Sequence, residues 1–511
     1  MKKTLQVLFR IVFSRTMITI LLILLQIGVL LASFNFFRPY MSVIFGSFTF
    51  LAGVLIVYII NKDILPEMKL VWVLPICVFP VFGALLYLMV ATNWGTIGLK
   101  KVVQRGIQST SVYLKTSEEV TKSLQEDVSI RQLSSYIQSI STCPTYQNTR
   151  VTYFPLGEDK FKDLLVELEK AEKFIFLEYF IIERGRMWNS ILEVLERKAQ
   201  EGVEVRVMYD GMCSLLLLPY TYPKQLQKKG IQAKMVSPIK PMLSTHQNNR
   251  DHRKILVIDG RVAYNGGVNL ADEYINEKVI YGHWKDVAVK LEGDAVQGFT
   301  ALFLQMWNAE ETTEKMQQYL KLPQRNVESA GYVIPYGDVP TDGEQLGETV
   351  YIDILNRAKK YVHIMTPYLI LDYQMVTALT YAAKRGVDVS IIMPHIPDKK
   401  IPFEIARSFY PELLHNKVKI YEYTPGFVHA KCFVSDDEKA VVGTINLDYR
   451  SLYHHFECAT YIYRNPVIGD IEMDYQKTLL ECQQVEMGTY RQIPLLQRIM
   501  GRVYRIIAPL L

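Results

Sequence analysis

The chain has 511 residues and a net charge of +5, a length sufficient for two or three domains. This mild charge excludes neither phosphate-bearing partners nor a membrane surface, and it gives no sign of nucleic-acid binding. Six scattered cysteines form no CxxC pair and no cluster with histidine, which argues against a zinc site and against a disulfide framework.

Three uncharged, mostly apolar runs open the chain, at residues 16–37, 39–61 and 70–99. Each is long enough to cross a hydrocarbon core, and a cleaved signal peptide would not be followed by further spans. Pro75, Pro80 and Gly83 interrupt the third run, which leaves a buried helix or a re-entrant segment as its alternative. The sequence predicts a transmembrane anchor over residues 1–99, with spans near 16–37, 39–61 and 70–92, in a multi-pass protein of the cell membrane.

Positive residues are balanced on the two sides of these spans, so the positive-inside rule does not orient the chain. Residues 100–150 are polar with sparse apolar positions, and they predict a short helical linker before a globular body.

The body is an internal duplication. The stretch that starts at Ala171 aligns with the one that starts at Ala358, and each contains an apolar strand, an amphipathic helix and a second strand. Strands that alternate with helices imply parallel strands joined by crossovers. We therefore predict an α/β fold, with two α/β sandwich halves at 151–325 and 330–485 that form one bilobed body.

The tail, residues 486–511, is a separate segment. Pro494 suits a helix start, and apolar residues then recur at helical spacing with arginines between them. Such a basic amphipathic helix either lies in a membrane interface or packs on the body with its arginines in water.

One cassette of residues occurs twice. A histidine and a lysine two residues apart on a strand point to the same face, where both can address one phosphate. A glycine or threonine allows close backbone approach, and an asparagine adds an amide donor. The first copy has His252, Lys254, Asp259, Gly267 and Asn269, and the second has His429, Lys431, Asp436, Thr444 and Asn446.

Two histidines suit phosphodiester exchange. One attacks phosphorus, and the other protonates the leaving alkoxide and then activates the incoming hydroxyl. The lysines and asparagines supply charge stabilisation, so we expect no metal and no other cofactor.

The cassette aspartates differ from the other members. Asp259 follows Lys254 by five residues, on the opposite strand parity and at a turn, which favours a structural role. Another carboxylate must orient each histidine, and the candidates are Asp286 and Glu457, which follow the two cassettes on strand-like runs. The seven other histidines lack a partner pattern and are interpreted as structural or surface groups.

The cassettes resemble the HKD motifs of the phospholipase D superfamily, and the chain as a whole resembles bacterial cardiolipin synthases. The family-like runs are NNRDHRKILVIDG, EYFII, TPYLI, YEYTPGFVHAKCFVSDD and GTINLDYRS. The resemblance implies exchange between two phosphatidylglycerol molecules in the lipid bilayer, giving cardiolipin and glycerol. It also implies a phosphatidyl-histidine on His252, acid/base work by His429, and counting of Asp259 and Asp436 as motif residues.

Two features depart from that pattern: the first apolar run is additional, and Thr444 stands where serine is usual. The cassettes alone leave open a phospholipase D that uses water or another alcohol. A nuclease is disfavoured because no basic groove with stacking aromatics stands out, and a decayed scaffold because no catalytic residue is missing. The oligomeric state is not predicted.

Overall fold

The structure is a computed structural model that describes residues 24, 27–28, 31, 41–90, 94–238, 248–307, 316–320 and 327–510. The first predicted span therefore lies almost wholly outside the described residues. The other two form helices α1 (Met41–Ile60), α2 (Pro66–Val78) and α3 (Pro80–Val90). Within this part of the chain, no helix combines the length and the apolar character that a membrane crossing requires.

The third predicted span is broken between α2 and α3. Phe79 leaves helical geometry, with φ −132° and ψ 78°, directly before Pro80. A proline disfavours the helical conformation in the residue before it and has no N–H to continue the helix. The predicted run is therefore two shorter helices.

Three helices lead from this region to the body: α4 (Trp94–Ser111), α5 (Glu118–Leu124) and α6 (Val128–Ser141). The side chains of Ser117 and Asp127 cap α5 and α6 at their N-termini. The predicted linker is helical, and its apolar side chains are buried in the core of the body, including those of Val103, Leu124 and Ile137.

The first half is built on a seven-stranded sheet of order β1-β8-β6-β5-β2-β3-β4. Only β2, β3 and β4 are mutually parallel, and the other pairings are antiparallel. The strands are β1 (Thr149–Phe154), β2 (Phe174–Tyr179), β3 (Glu204–Asp210), β4 (Gln232–Val236), β5 (Lys254–Ile258), β6 (Val262–Gly266) and β8 (Ala288–Gly293), and the helices are α7 (Gly157–Glu169), α8 (Arg186–Gln200), α9 (Cys213–Leu216), α10 (Tyr222–Gln227), α11 (Val296–Trp307) and α12 (Met316–Leu320).

The second half repeats this plan in an eight-stranded sheet of order β17-β12-β11-β10-β14-β15-β16-β9. Here β10, β11 and β12 are the parallel strands. The strands are β9 (Tyr332–Asp338), β10 (Tyr361–Met365), β11 (Asp388–Pro394), β12 (Lys419–Tyr423), β14 (Cys432–Ser435), β15 (Lys439–Gly443), β16 (Glu457–Tyr463) and β17 (Cys482–Val485), and the helices are α13 (Leu346–Arg357), α14 (Tyr373–Lys384), α15 (Lys400–His415) and α16 (Val467–Leu479).

The prediction of parallel strands was thus correct for three strands of each sheet and wrong for the rest. The reason is local: each cassette strand continues through a tight turn into an antiparallel partner, β5 into β6 and β14 into β15. Hairpins of this kind need no crossover helix.

The two halves share one hydrophobic core, to which both sheets contribute; Ile255 and Val289 come from one and Val441 and Ala459 from the other. They are also joined by backbone pairing. Strand β7 (His283–Lys285) of the first half runs parallel to β13 (Gly426–Val428) of the second. The tail forms α17 (Met487–Gln492) and α18 (Leu495–Ile507), and α18 lies against α15.

Candidate active site

The two cassettes meet where the halves join, and each histidine is held by the other half. Nδ1 of His252 lies 2.9 Å from both carboxylate oxygens of Glu457, at the start of β16. Nδ1 of His429 lies 2.7 Å from Oδ2 of Asp286, just after β7. Both carboxylates are fully buried. The two predicted carboxylates therefore contact the two cassette histidines, and the pairing crosses between the halves.

Backbone pairing explains this crossing. The N–H of His252 donates to the carbonyl of Phe456 at 2.9 Å, and the N–H of His429 donates to the carbonyl of Lys285 at 2.7 Å. Phe456 directly precedes Glu457, and Lys285 directly precedes Asp286. Parallel pairing thus places the residue before each carboxylate beside the histidine of the other half.

Lys254 and Lys431 are buried beside the histidines. The ammonium of Lys254 donates to the carbonyl of His252 at 2.6 Å, and that of Lys431 contacts the carbonyl of His429 and lies 2.8 Å from its Nδ1. Burial lowers the pKa of Lys254 to about 8 and that of Lys431 to about 7, and in Lys431 the nearby Lys254 charge adds to this. Two ammonium groups buried close together favour the binding of an anion, because its negative charge would offset both the cost of burying each ammonium and the repulsion between the two.

The pKa values of the histidines and their carboxylates are also shifted. Burial lowers the pKa of both His252 and His429 well below the ordinary value, and neighbouring lysines lower it further. Burial raises the pKa of Asp286 to about 6. Burial also acts to raise the pKa of Glu457, but interaction with His252 outweighs it and holds the pKa below its usual range. A neutral imidazole that donates Nδ1–H to a carboxylate leaves Nε2 as a free base.

The two cassette asparagines are both buried and differ in their contacts. Oδ1 of Asn269 accepts the N–H of Ile181 at 3.1 Å, and its amide nitrogen donates to the hydroxyl of Tyr274 at 2.7 Å. Oδ1 of Asn446 is buried and receives no hydrogen bond from the described residues. The contact with Tyr274 uses one N–H of the Asn269 amide, and the second N–H is left for another acceptor such as a phosphate oxygen.

Gly267 and Thr444 occupy equivalent places in the two cassettes and contact the orienting carboxylates. A side chain on Gly267 would overlap the carboxylate of Asp286. The hydroxyl of Thr444 contacts the carboxylate of Glu457 and lies 3.0 Å from both the N–H and the carbonyl of Cys458. The sequence prediction placed both residues against the phosphate, whereas their observed contacts are with the groups that hold the histidines.

The cassette aspartates lie at the far end of their strands, about 16 Å from the lysines at 3.3 Å per residue. The carboxylate of Asp259 accepts the N–H groups of Glu172, Lys173 and Phe174, each at 2.8 Å. Asp436 accepts the equivalent three, at 2.7 to 3.0 Å, from residues 359–361. These contacts anchor the chain ahead of β2 and β10, and they favour the structural interpretation of the aspartates over contact with substrate.

His455 joins the site although its sequence pattern did not indicate it. Its ring centroid lies 5.3 Å from that of His252, and its Nδ1 lies 3.5 Å from Oε1 of Glu457. Within the described part of the chain, one ligand atom from each of His252, His455 and Glu457 lies within 4.8 Å of the others, close enough to hold a metal ion. The sequence feature that could have identified His455 is its position: it stands two residues before Glu457, on the same face of the segment that pairs with the first cassette.

Aromatic rings wall the site. Phe180 stands edge-on to His252 with a centroid separation of 4.9 Å, and Tyr274 and Trp284 each lie 5.3 Å from His429. An apolar wall limits water around the reacting atoms and strengthens the charge interactions there.

Duplicated α/β halves with two crossed histidine–carboxylate pairs and two buried lysines define the phospholipase D superfamily arrangement. The chain belongs to the family described as cardiolipin synthase, PLD-like domain, whose model matches residues 164–307 and 351–479. A second model, phospholipase D-nuclease N-terminal, matches residues 50–91. The resemblance inferred from the cassettes is thereby confirmed.

Known relatives extend the match over most of the chain. An uncharacterised protein of Streptococcus mutans is 51% identical over 457 residues, which cover 89% of this chain and 99% of that protein. A cardiolipin synthase of Alkalihalophilus pseudofirmus is 32% identical over 481 residues, 92% of this chain and 94% of the relative. The crystal structure of the phosphatidylserine synthase of Haemophilus influenzae matches with a TM-score of 0.57 at 14% identity, covering 75% of this chain and all of that one, which supports the fold.

Proposed function

We propose that this protein is a cardiolipin synthase, a phosphatidyltransferase that exchanges the headgroup alcohol between two phosphatidylglycerol molecules. The observation that carries the mechanism is the crossed pairing of His252 with Glu457 and of His429 with Asp286. This crossed pairing provides one phosphate site with two imidazoles that lie in different environments. The relatives named cardiolipin synthase support the choice of lipid substrate.

In the first step, Nε2 of His252 attacks phosphorus of the donor lipid. The bond from phosphorus to the glycerol oxygen breaks, and that oxygen takes a proton from Nε2 of His429, so free glycerol leaves. Glu457 stabilises the positive charge that the ring of His252 acquires when it becomes phosphorylated.

His429 must carry a proton for this step, although burial and the neighbouring lysine charges lower its pKa. A bound phosphodiester anion offsets the lysine charges and so raises the pKa of His429. The substrate thereby favours the protonated acid that its own reaction needs.

In the second step, neutral His429 accepts the proton of a hydroxyl group on the acceptor phosphatidylglycerol. The oxygen attacks phosphorus, the bond to Nε2 of His252 breaks, and cardiolipin is formed. Lys254 and Lys431 neutralise the non-bridging oxygens in both steps, and amide N–H groups of Asn269 and Asn446 donate to them.

We also propose that the N-terminal region anchors the protein in the cell membrane as a multi-pass segment. The match to residues 50–91 supports an N-terminal module, and exposed apolar side chains support a lipid environment for it, including Phe50, Val57, Leu70 and Val78. Extraction of native membranes with alkaline carbonate checks this, because an integral protein stays in the pellet and a peripheral one is released.

The deciding experiment supplies the purified full chain with phosphatidylglycerol vesicles and a chelator, and identifies every product. Cardiolipin with an equal amount of glycerol is the expected result. Phosphatidic acid without cardiolipin would identify a hydrolase instead, and a new phospholipid formed only with an added alcohol would identify another transphosphatidylase. Dependence on an added divalent ion would contradict the metal-free mechanism and would point to His252, His455 and Glu457 as its ligands.

Matched histidine variants test the site within the same assay. His252→Ala and His429→Ala should each abolish turnover. His363→Ala is the control, because His363 also pairs through Nδ1 with a carboxylate, that of Glu472 at 2.9 Å, but outside the site. Near-normal turnover in either cassette variant would overturn the assignment.

A further inference from the structure

The tail helix α18 presents its apolar side away from the protein. We name as the tail ridge six apolar side chains on one side of this helix, which are between 45% and 70% exposed: Leu495, Leu496, Ile499, Val503, Ile506 and Ile507. An amphipathic helix that merely packs on a soluble body has the opposite arrangement, with its apolar stripe turned inward.

The contacts of α18 with the body fix this orientation. Gly501 is buried against the carbonyl of Glu404, and a side chain there would overlap that carbonyl. The guanidinium of Arg505 stacks at 3.8 Å on the ring of Phe409 and lies 3.4 Å from the carboxylate of Glu412. These polar and small residues face α15, so the tail ridge points outward.

The charge of the tail suits one kind of partner. Residues 487–510 contain four arginines and no acidic residue. Arg502, which is exposed, flanks the tail ridge. An apolar ridge on a tail segment whose own charges are all positive matches a bilayer interface that contains anionic phospholipid, where the ridge enters the acyl region and the arginines meet phosphates.

The tail ridge also continues an apolar surface of the N-terminal region. Leu70 and Leu74 of α2 and Ile506 of α18 line the same cavity of about 310 Å³, together with Arg502 and the carboxylates of Glu67 and Glu412. Leu70, Leu74 and Val78 are themselves exposed. Helices from the two ends of the chain therefore present one apolar surface in the same neighbourhood.

We propose that α18 is an interfacial helix that inserts the tail ridge into the surface of an anionic phospholipid bilayer and so holds the catalytic body against it. This inference concerns the docking of the body and does not depend on which alcohol accepts the phosphatidyl group.

A fluorescent label measures the insertion directly. The full chain, with Cys77→Ser and Cys482→Ser to remove accessible thiols, receives an NBD label at Val503→Cys or, as a control, at the exposed first-half position Lys228→Cys. In phosphatidylglycerol vesicles that contain doxyl lipids, the label at 503 should be quenched and that at 228 should not. Equal, weak quenching at both positions would overturn the proposal, and this result would arise if residues 1–40 or a second copy covered the tail ridge.

A triple variant tests the consequence for activity. Ile499→Ser with Val503→Ser and Ile506→Ser should lower the rate in vesicles by on the order of tenfold and leave the rate in detergent micelles unchanged. Val166→Ser with Met473→Ser and Leu480→Ser is the control, since these apolar residues are similarly exposed elsewhere on the body. An equal loss in both media, or a lowered melting temperature, would mean that the tail ridge packs against protein and would refute lipid insertion. Because labelling needs no turnover, its outcome stands even if cardiolipin is not the product.

Discussion

Replacement of Glu457 by glutamine tests the central feature of the site with little change in shape. The carboxylate is fully buried and lies 2.9 Å from Nδ1 of His252 through both oxygens. When His252 becomes phosphorylated, its ring carries a positive charge beside that carboxylate. Two unit charges about 4 Å apart interact by about 4 kcal/mol at an effective dielectric constant of about 20.

Loss of this interaction should slow formation of the phosphatidyl-enzyme roughly a thousandfold, since about 1.4 kcal/mol corresponds to a factor of ten in rate. The assay is initial glycerol release from phosphatidylglycerol vesicles by Glu457→Gln and by the wild type. Glu472→Gln is the matched control, because it removes the charge from the His363–Glu472 pair outside the site. Circular dichroism in the near ultraviolet verifies that both variants are folded.

Two results would refute this reasoning. A Glu457→Gln rate within tenfold of the wild type would show that the carboxylate does not stabilise the charged intermediate. A comparable loss of rate in Glu472→Gln would show that removing the carboxylate from any such histidine–carboxylate pair slows the reaction by disturbing the fold.

Three further predictions concern other parts of the site. Gly267→Ala should lower turnover by roughly a hundredfold, as loss of acid–base support does, because the new methyl group displaces Asp286 from His429. Gly469→Ala is the control and should have no effect, because its new methyl group meets open space. Equal rates in the two variants would contradict the role of Asp286 in orienting His429. Asp259→Ala should lower the free energy of unfolding by about 2–4 kcal/mol, because three backbone hydrogen bonds are lost, while turnover per folded molecule stays near normal. Chemical denaturation measures the stability, and active-site titration measures turnover per folded molecule. A large loss of turnover in folded protein would make Asp259 catalytic. The pH profile of kcat/KM reports the ionisation of groups in the free enzyme, and kcat/KM should fall as pH rises through about 7 to 8, because Lys431 and then Lys254 lose the positive charge that attracts phosphate. A pH profile that stays flat to pH 9 would exclude these lysines as the cationic groups.

The local features of this site follow from short-range patterns in the sequence. Strand parity placed His252 and Lys254 on one face, and the turn predicted at Asp259 is the one that joins β5 to its antiparallel partner β6. The same parity argument separated Asp259 from the phosphate. These inferences depend on residues a few positions apart, where backbone geometry leaves little choice.

The nonlocal part could not be obtained in this way. Asp286 and Glu457 were found by their matching places after the two cassettes, but their exchange between halves depends on pairing of β7 with β13 and of Asp251 with Phe456. Such pairs are more than 140 residues apart in the chain, and no local pattern encodes them. His455 was missed for the same reason, since only this pairing brings it beside His252.

The two carboxylates are not equivalent, and their difference bears on the roles proposed for the histidines. Glu457 has its pKa held low and is in contact with the hydroxyl of Thr444, so it remains ionised and suits a partner that becomes permanently cationic during an intermediate. Asp286 has its pKa raised to about 6 and faces Gly267, which offers no side-chain donor. Its basicity is therefore closer to that of an imidazole, which suits a histidine that must both release and accept a proton. Environments that separate the pKa values of paired groups in this way identify acid–base partners. This asymmetry supports the roles proposed above, with His252 as the nucleophile and His429 as the proton carrier. Because each carboxylate belongs to the opposite half, neither half contains a complete histidine–carboxylate pair by itself.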